Sequence, residues 1–313
     1  MDVNLNETNI ILDGFVEVHR YRYLYFVIMF TVYIQILCFN STIVLLIVFQ
    51  RSLHEPMYIF IAALLLNNVM LSAVVYPKLL IDILSERQII SSSACFFQNV
   101  IVYSLGVSEF LLLTIMSYDR YVSICKPLHY ATIMRKRTVI ILLALTWILP
   151  AFYISVLIFS IIYFHSEMCN FTLRAIICKS ALNDLLCFHS PVLVIVTLIS
   201  IIIVGIFLVF LILFSYIRII MIAYRSSKEF KRKAAQTCLP HLLVLFCFKC
   251  LVSFDLITVL LESKVSKTVN LIMTLQTIIY QPLFNPIIYG LKMKEIYKHL
   301  TRLLCRTKSK RFF

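Results

Sequence analysis

Residues 116–125 read MSYDRYVSIC, and KPLHY follows directly at 126–130. The ten-residue run closes an apolar segment, residues 96–118, that contains a single charged side chain. Its adjacent acid and base, Asp119 and Arg120, lie where that segment meets a basic loop. Charged side chains are rare within apolar spans and usually have a function there, and this pair directly follows such a span. This pair is therefore the first candidate functional site.

Composition and hydropathy identify a membrane protein with several spans. Of 313 residues, 61% are hydrophobic and 14% are charged, and the mean hydropathy is +0.94; a soluble domain carries about 25% charged residues. A helix needs about 20 apolar residues to cross a bilayer. Uninterrupted runs of this length indicate helices, since lipid leaves only helices and closed barrels able to satisfy the backbone. The sequence therefore predicts an all-α membrane protein whose seven spans are 23–50, 56–77, 96–118, 138–164, 185–217, 238–254 and 268–291.

The basic residues lie on alternate connections between these spans. Segment 119–137 holds five bases and one acid, 218–237 holds six and one, and the tail 292–313 holds eight and one. Segment 1–22 instead holds four acids and two bases. The positive-inside rule thus places the N-terminus outside and the C-terminus in the cytosol. It also accounts for the net charge of +14 without a nucleic-acid partner.

This topology predicts three regions. Residues 1–22 form an extracellular tail, and residues 23–291 form a seven-helix transmembrane domain. Residues 292–313 form a cytoplasmic amphipathic eighth helix and a basic tail, in contact with membrane lipids. The first 22 residues lack an apolar core, so the first span is expected to act as its own insertion signal.

Five motifs occur along the chain in one characteristic order. They are LHEPMYIF at 53–60, MSYDRYVSIC with KPLHY at 116–130, Ser215-Tyr216, KAAQTCLPH at 233–241 and PLFNPIIYGLK at 282–292. Together they resemble the olfactory receptors, a branch of the rhodopsin-like G-protein-coupled receptors. Asn68 stands where the family usually has an acid, and this and several loop details look more like fish-type members.

The resemblance implies an activation switch at the inner ends of the helices. Arg120 would pair with Asp119 at rest and turn toward the G protein on activation. Pro286 lacks a backbone N–H and permits a bend in the seventh helix. The alternative for the charge pair is a marker of the membrane boundary. The switch residues that the resemblance predicts are Asp119, Arg120, Tyr121, Tyr216, Asn285, Pro286 and Tyr289.

Two charged residues lie deep within predicted spans, Glu109 in the third and Lys249 in the sixth. A buried charge requires a partner or a change of protonation. The resemblance suggests a sodium ion near Glu109, although Asn68 weakens that suggestion. The alternatives are a Glu109–Lys249 ion pair, a Lys249 that binds an acidic ligand, and a neutral lysine in a polar cleft. The predicted buried polar site comprises Asn68, Glu109, Lys249 and Asn285.

The candidate ligand pocket follows from helical spacing in the outer half of the bundle. Positions i, i+4 and i+7 share one helix face, and the cavity between such faces is mostly apolar, as is usual for small ligands. The alternative for each single residue is ordinary helix packing. The predicted lining is Val102, Tyr103 and Gly106 in the third span, Ser200 and Val204 in the fifth, and Lys249, Val252, Ser253 and Leu256 in the sixth.

Four cysteines fall on the outer side by this topology, where an oxidising environment permits disulfides. Four cysteines allow three pairings. The family resemblance favours Cys95–Cys178, which would tie the outer loop to the third span, and Cys169–Cys187 within the loop. Two glycosylation sequons also lie outside, at Asn6 and Asn170. A third, at Asn40, is inside the first span, where a hydrogen bond between helices is expected instead.

The predicted function is an odorant receptor that activates a stimulatory heterotrimeric G protein and raises cAMP. The alternatives are a receptor of the same fold for a non-odorant ligand and, from another class, a transporter or a retinal pump. A transporter would show repeated halves and broken helices, and a retinal protein would need a lysine in span 268–291, which has none. No cofactor or enzymatic activity is expected, since no metal-binding or nucleotide-cradle motif occurs and only 4 residues are glycine.

Overall fold

The structure is a computed structural model that describes residues 9–16, 18–164, 171–178, 191–224 and 266–309, together with Leu239, Leu242 and Val244. Long helices dominate it. In chain order they are α1 (Val18–Phe49), α2 (Pro56–Leu84), α3 (Ser92–Cys125), the short α4 (Tyr130–Ile133), α5 (Lys136–Phe164), α6 (Pro191–Tyr224), α7 (Lys267–Lys292) and α8 (Lys294–Ser309).

Six of these helices, α1, α2, α3, α5, α6 and α7, are long and apolar enough to cross a membrane, counting only the described residues. The predicted sixth span, 238–254, lies outside those residues except for the three isolated positions. Several helices extend beyond the predicted spans. In particular, α3 continues to Cys125, so Asp119 and Arg120 lie within its last turns rather than in the loop after it.

The third span organises the bundle, because α3 packs against α2, α5 and α6, while α1 packs against α2 and α7. The inner half of the core contains buried side chains from α2, α3 and α7, such as Phe60, Met116 and Tyr289. A second buried cluster fills the outer half around Tyr76 and Leu105. The helix faces toward lipid remain apolar, as expected for a bilayer-spanning domain.

Two prolines interrupt the hydrogen-bond ladder of α7, and side chains from other helices replace the missing donors. Pro286 has no N–H for the carbonyl of Pro282, and Asn40 Nδ2 donates to that carbonyl at 2.7 Å. Pro282 likewise has none for the carbonyl of Ile278, to which Tyr76 Oη donates at 3.3 Å. The interhelical hydrogen bond expected of Asn40 is thus confirmed, and both carbonyls are satisfied.

A small sheet covers the outer end of the bundle, which the sequence did not predict. Strand β1 (Asn9–Leu12) lies between β2 (Ile89–Ser91), to which it is antiparallel, and β3 (Thr172–Leu173), to which it is parallel. Ile10 and Leu12 of β1 are buried in a cluster with the disulfide cysteines. The part of the N-terminal tail that the structure describes is therefore packed onto the outer loops.

Candidate switch and ligand site

The inner end of α3 holds the carboxylate of Asp119, which is 0% exposed, between two hydrogen-bond donors. Arg120 Nη2 donates to its Oδ2 at 2.9 Å, and Tyr130 Oη donates to its Oδ1 at 2.9 Å. Both carboxylate oxygens are therefore bound, one by the neighbouring cation and one by a phenol from α4. A buried carboxylate requires such partners.

Tyr130 was not among the predicted switch residues, although it ends the quoted KPLHY motif. Its hydroxyl reaches Asp119 because a short loop folds α4 back against α3. Burial, and then the adjacent Asp119 carboxylate, raise the pKa of Tyr130 well above its usual range. The phenol therefore stays protonated and remains a donor. The sequence signal that could have found it is a hydroxyl-bearing aromatic eleven residues after the acid.

Three of the other predicted switch residues lie in apolar clusters toward the inner end of the bundle. Tyr121 and Tyr216 belong to one apolar cluster between α3 and α6, and the Tyr121 ring lies 6.2 Å from that of Phe214. Tyr289 is fully buried on α7 in the inner core. The Nε atom of Arg120 is buried without a hydrogen-bond partner in the described part of the chain.

The predicted buried polar site is only partly brought together. Glu109, 1% exposed, accepts a hydrogen bond from Asn285 Nδ2 at 3.1 Å, which joins α3 to α7 one residue before Pro286. Asn68 instead donates to Asn40 Oδ1 at 3.3 Å. Lys249 lies outside the described residues, so its pairing with Glu109 stays a prediction, as does a sodium ion.

The predicted ligand face of α3 is present, whereas its partners are largely outside the described residues. Val102, Tyr103 and Gly106 are half-buried. A Cβ added at Gly106 would meet no heavy atom of the described residues within 4 Å. Ser200 and Val204 lie on α6, but their side chains are not described. The four predicted lining residues of the sixth span, Lys249, Val252, Ser253 and Leu256, lie outside the described residues.

The outer loop is fastened to α3 by the predicted Cys95–Cys178 disulfide, which is present with the two Cα atoms 5.2 Å apart. Gln98, one turn along α3 from Cys95, accepts a hydrogen bond from the backbone N–H of Cys178 at 2.9 Å. The pairing Cys169–Cys187 and the sequons at Asn6 and Asn170 lie outside the described residues.

The described N-terminal segment, residues 9–16, lies against the same outer loop, and the two together are called the outer cap. The backbone N–H groups of Ile11 and Asp13 donate to the carbonyls of Phe171 and Leu173, each at 2.7 Å. The Asp13 carboxylate also pairs with Lys267 Nζ of α7 at 2.5 Å. The segment thus joins the outer loop to the seventh span, above the predicted ligand face.

Comparison with known proteins agrees with this architecture. The profile of the family "Olfactory receptor" matches residues 29–307. Olfactory receptor 11A1 of Homo sapiens is 33% identical over 310 residues, covering 95% of this chain and 94% of the relative. Olfactory receptor 4M1 of Mus musculus is 29% identical over 310 residues, covering 96% and 95%.

Among solved structures, squid rhodopsin superimposes with a TM-score of 0.76 at 18% identity, covering 96% of this chain and 91% of that one. That likeness shows the rhodopsin-like seven-helix fold. Family profile, full-length relatives and fold agree, and the chain therefore belongs to the olfactory receptor family of rhodopsin-like G-protein-coupled receptors.

Proposed function

We propose that this protein is an odorant receptor that binds a small molecule in the outer half of its bundle and activates a stimulatory G protein, raising cAMP. Membership of the family implies a multi-pass membrane protein with a small-molecule ligand and a G-protein partner, and a receptor rather than an enzyme. The proposal adds the class of G protein, the place of the ligand and the orientation in the plasma membrane.

The observation that carries the proposal is that the Asp119 carboxylate, at the inner end of α3, accepts two side-chain hydrogen bonds. Its two hydrogen bonds, from Arg120 and Tyr130, constrain the arginine at the face that the charge pattern assigns to the cytosol. In the resting state Arg120 is bound to Asp119, and in the proposed active state it is released. A ligand shifts the equilibrium between these two states only by its difference in affinity for them. Release of Arg120 is therefore the proposed step that opens the G-protein site.

The ligand site is proposed on the α3 face of Val102, Tyr103 and Gly106, below the outer cap. The half-buried positions of these three residues, and the lack of any described heavy atom within 4 Å of a Cβ added at Gly106, support this position. The Glu109–Asn285 hydrogen bond, about one turn further inward, connects that face to the proline-interrupted α7. A ligand that displaces α3 or α7 would therefore alter the polar contacts that lead toward the inner end.

The G-protein face is proposed to consist of the basic inner loops and α8. Lys294–Ser309 forms a helix in which apolar residues such as the buried Ile296 share the sequence with lysines and arginines. Such a helix lies along an inner membrane surface, where anionic lipid headgroups attract its basic side chains.

A cAMP assay of chemically diverse odorants in cells that express the full chain tests this function. A saturable response that depends on the receptor and on a co-expressed stimulatory G protein is expected. The variant that tests the ligand site is Gly106→Leu, which adds a bulky side chain to the proposed ligand face of α3 and should lower potency without lowering surface expression. Responses that occur only through an inhibitory G protein would contradict the proposed class, and a Gly106→Leu receptor with unchanged potency would contradict the proposed site.

A further inference from the structure

Two isoleucines of the outer loop pack into the outer half of the bundle. Ile176 and Ile177 precede the disulfide-bonded Cys178, and each is 2% exposed. They belong to the same buried cluster as Leu105 of α3, and Val102 of the proposed ligand face packs against that cluster. Residues 176–178, which we call the roof segment, therefore lie at the outer end of the proposed ligand site.

Gln98 of α3 joins the roof segment to α2 by two hydrogen bonds. Its Oε1 atom accepts from the backbone N–H of Cys178 at 2.9 Å, and its Nε2 atom donates to the carbonyl of Val74 at 3.4 Å. Gln98 is 6% exposed, so water competes little for either contact. A single orientation of the amide suits both partners, because Cys178 offers a donor and Val74 an acceptor.

The hydrogen bond to Gln98 adds a constraint that the disulfide does not provide. The Cys95–Cys178 bridge holds the side chain of Cys178, whereas Gln98 holds its backbone. Gln98 follows Cys95 by three residues, so the two attachments are about 4.5 Å apart along α3. A single attachment leaves a segment free to pivot about it, and a second attachment removes that freedom. Cys178 is fully buried, so loss of this acceptor for its N–H is costly.

We propose that Gln98 is a positioning residue for the odorant site. It orients the roof segment against the ligand face of α3 and thereby sets how readily the outer end of the site opens. Gln98 acts through the backbone of Cys178 and does not contact the odorant. The inference rests on the proposed function, because that function places the odorant on the face that contains Val102.

Cysteine accessibility below the roof segment tests this role without any odorant. A Val102→Cys receptor, purified at full length in lipid nanodiscs, is treated with a methanethiosulfonate that carries a trimethylammonium group and therefore enters from water. The labelling rate is corrected for that of the receptor without the added cysteine. Gln98→Met, which has a similar length and no amide, should raise the rate about five-fold, the effect of one hydrogen bond on the open fraction.

Two further variants separate positioning from a general loss of stability. Gln98→Glu keeps an acceptor for the Cys178 N–H, and its labelling rate should stay close to that of the receptor with Gln98. Tyr76→Phe removes a buried hydrogen bond between α2 and α7 and should leave the rate unchanged, because that bond does not hold the roof segment. An equal rise in Tyr76→Phe, or no rise in Gln98→Met, would overturn the proposal.

Hydrogen exchange of the unmodified receptor decides the matter if Gln98→Met fails to fold. The amide of Cys178 should exchange slowly, because its proton is held by the Gln98 side chain. Exchange of that amide at the rate of an exposed one would overturn the proposal.

The odorant assay distinguishes this inference from the proposed function. For an odorant that the cAMP screen identifies, Gln98→Met should lower potency, because a displaced roof segment changes the site, and Gln98→Glu should retain it. Faster labelling with unchanged potency would limit Gln98 to holding the loop and would overturn its role in the ligand site. A receptor without any odorant response would contradict the proposed function, while the labelling rates would still decide whether Gln98 positions the roof segment.

Discussion

Buried polar side chains in this bundle donate hydrogen bonds to backbone carbonyls that have no donor within their own helix. The two prolines of α7 expose the carbonyls of Ile278 and Pro282, and Tyr76 and Asn40 bind them. The sequence identifies those carbonyls, since each lies four residues before a proline. It could not identify the donors, because these depend on the register of α1 and α2 against α7.

Tyr76→Phe should lower the receptor's free energy of unfolding by about 1–3 kcal/mol, since the buried Ile278 carbonyl would lose its donor. Thermal unfolding of the purified receptor measures this. The matched control is Tyr33→Phe, which removes a hydroxyl from the ring stacked on Tyr76 with centroids 5.0 Å apart. Equal losses in the two variants would show that the hydrogen bond to α7 is not the cause.

Tyr130→Phe should raise basal cAMP production several-fold. The change leaves one oxygen of the buried Asp119 without its donor, which costs about 1–3 kcal/mol and weakens the arrangement that holds Arg120. Basal cAMP at matched surface expression is the measurement, with Tyr118→Phe, a partly exposed tyrosine on α3, as the control. Basal activity equal to that of the unmodified receptor would exclude Tyr130 from the resting state.

Among the elements, the long helices were predictable and the outer sheet was not. Hydropathy locates each described span, because every backbone group in lipid must be bonded inside the helix. It does not locate the helix ends, since α2, α3 and α6 each end seven residues beyond the predicted bound. Strands β1 and β3 contain only four and two residues, and only their contact with separate loops makes them strands. The Cys95–Cys178 disulfide was expected from family resemblance, since four outer cysteines alone leave three pairings open.

Gly14→Ala should detach the N-terminal segment from the outer loop. A Cβ there would lie 2.3 Å from the carbonyl carbon of Ala175, a backbone atom that cannot simply move aside. Hydrogen exchange should show that the amides of Ile11 and Asp13 lose protection.

The control for that change is Gly205→Ala on α6, where an added Cβ meets no described atom within 4 Å; protection should persist. If the cap covers the ligand site, agonist potency should also fall in Gly14→Ala and stay normal in Gly205→Ala. Retained protection in Gly14→Ala would contradict the close packing of the N-terminal segment.

For the whole molecule, the uneven charge distribution predicts an orientation in the membrane that can be tested directly. An epitope tag before Met1 should be accessible to antibody on intact cells, and a tag after Phe313 only after permeabilisation, because the basic segments stay in the cytosol. In a variant with the six bases of 218–237 neutralised, a larger fraction of the molecules should insert in the opposite orientation. A C-terminal tag that is accessible on intact cells would reverse the proposed topology.

The central claim is that Arg120, held by Asp119, controls activation of a stimulatory G protein. Its most direct test is agonist-driven GDP-for-GTP exchange on that purified G protein, with the full-length receptor in nanodiscs. The unmodified receptor and Arg87→Ala, which changes an exposed base in the outer connection between α2 and β2, should both accelerate exchange. Arg120→Ala should bind agonist yet fail to accelerate exchange, since only the arginine's charge contacts are lost. Exchange by Arg120→Ala at the rate of the unmodified receptor would contradict the claim.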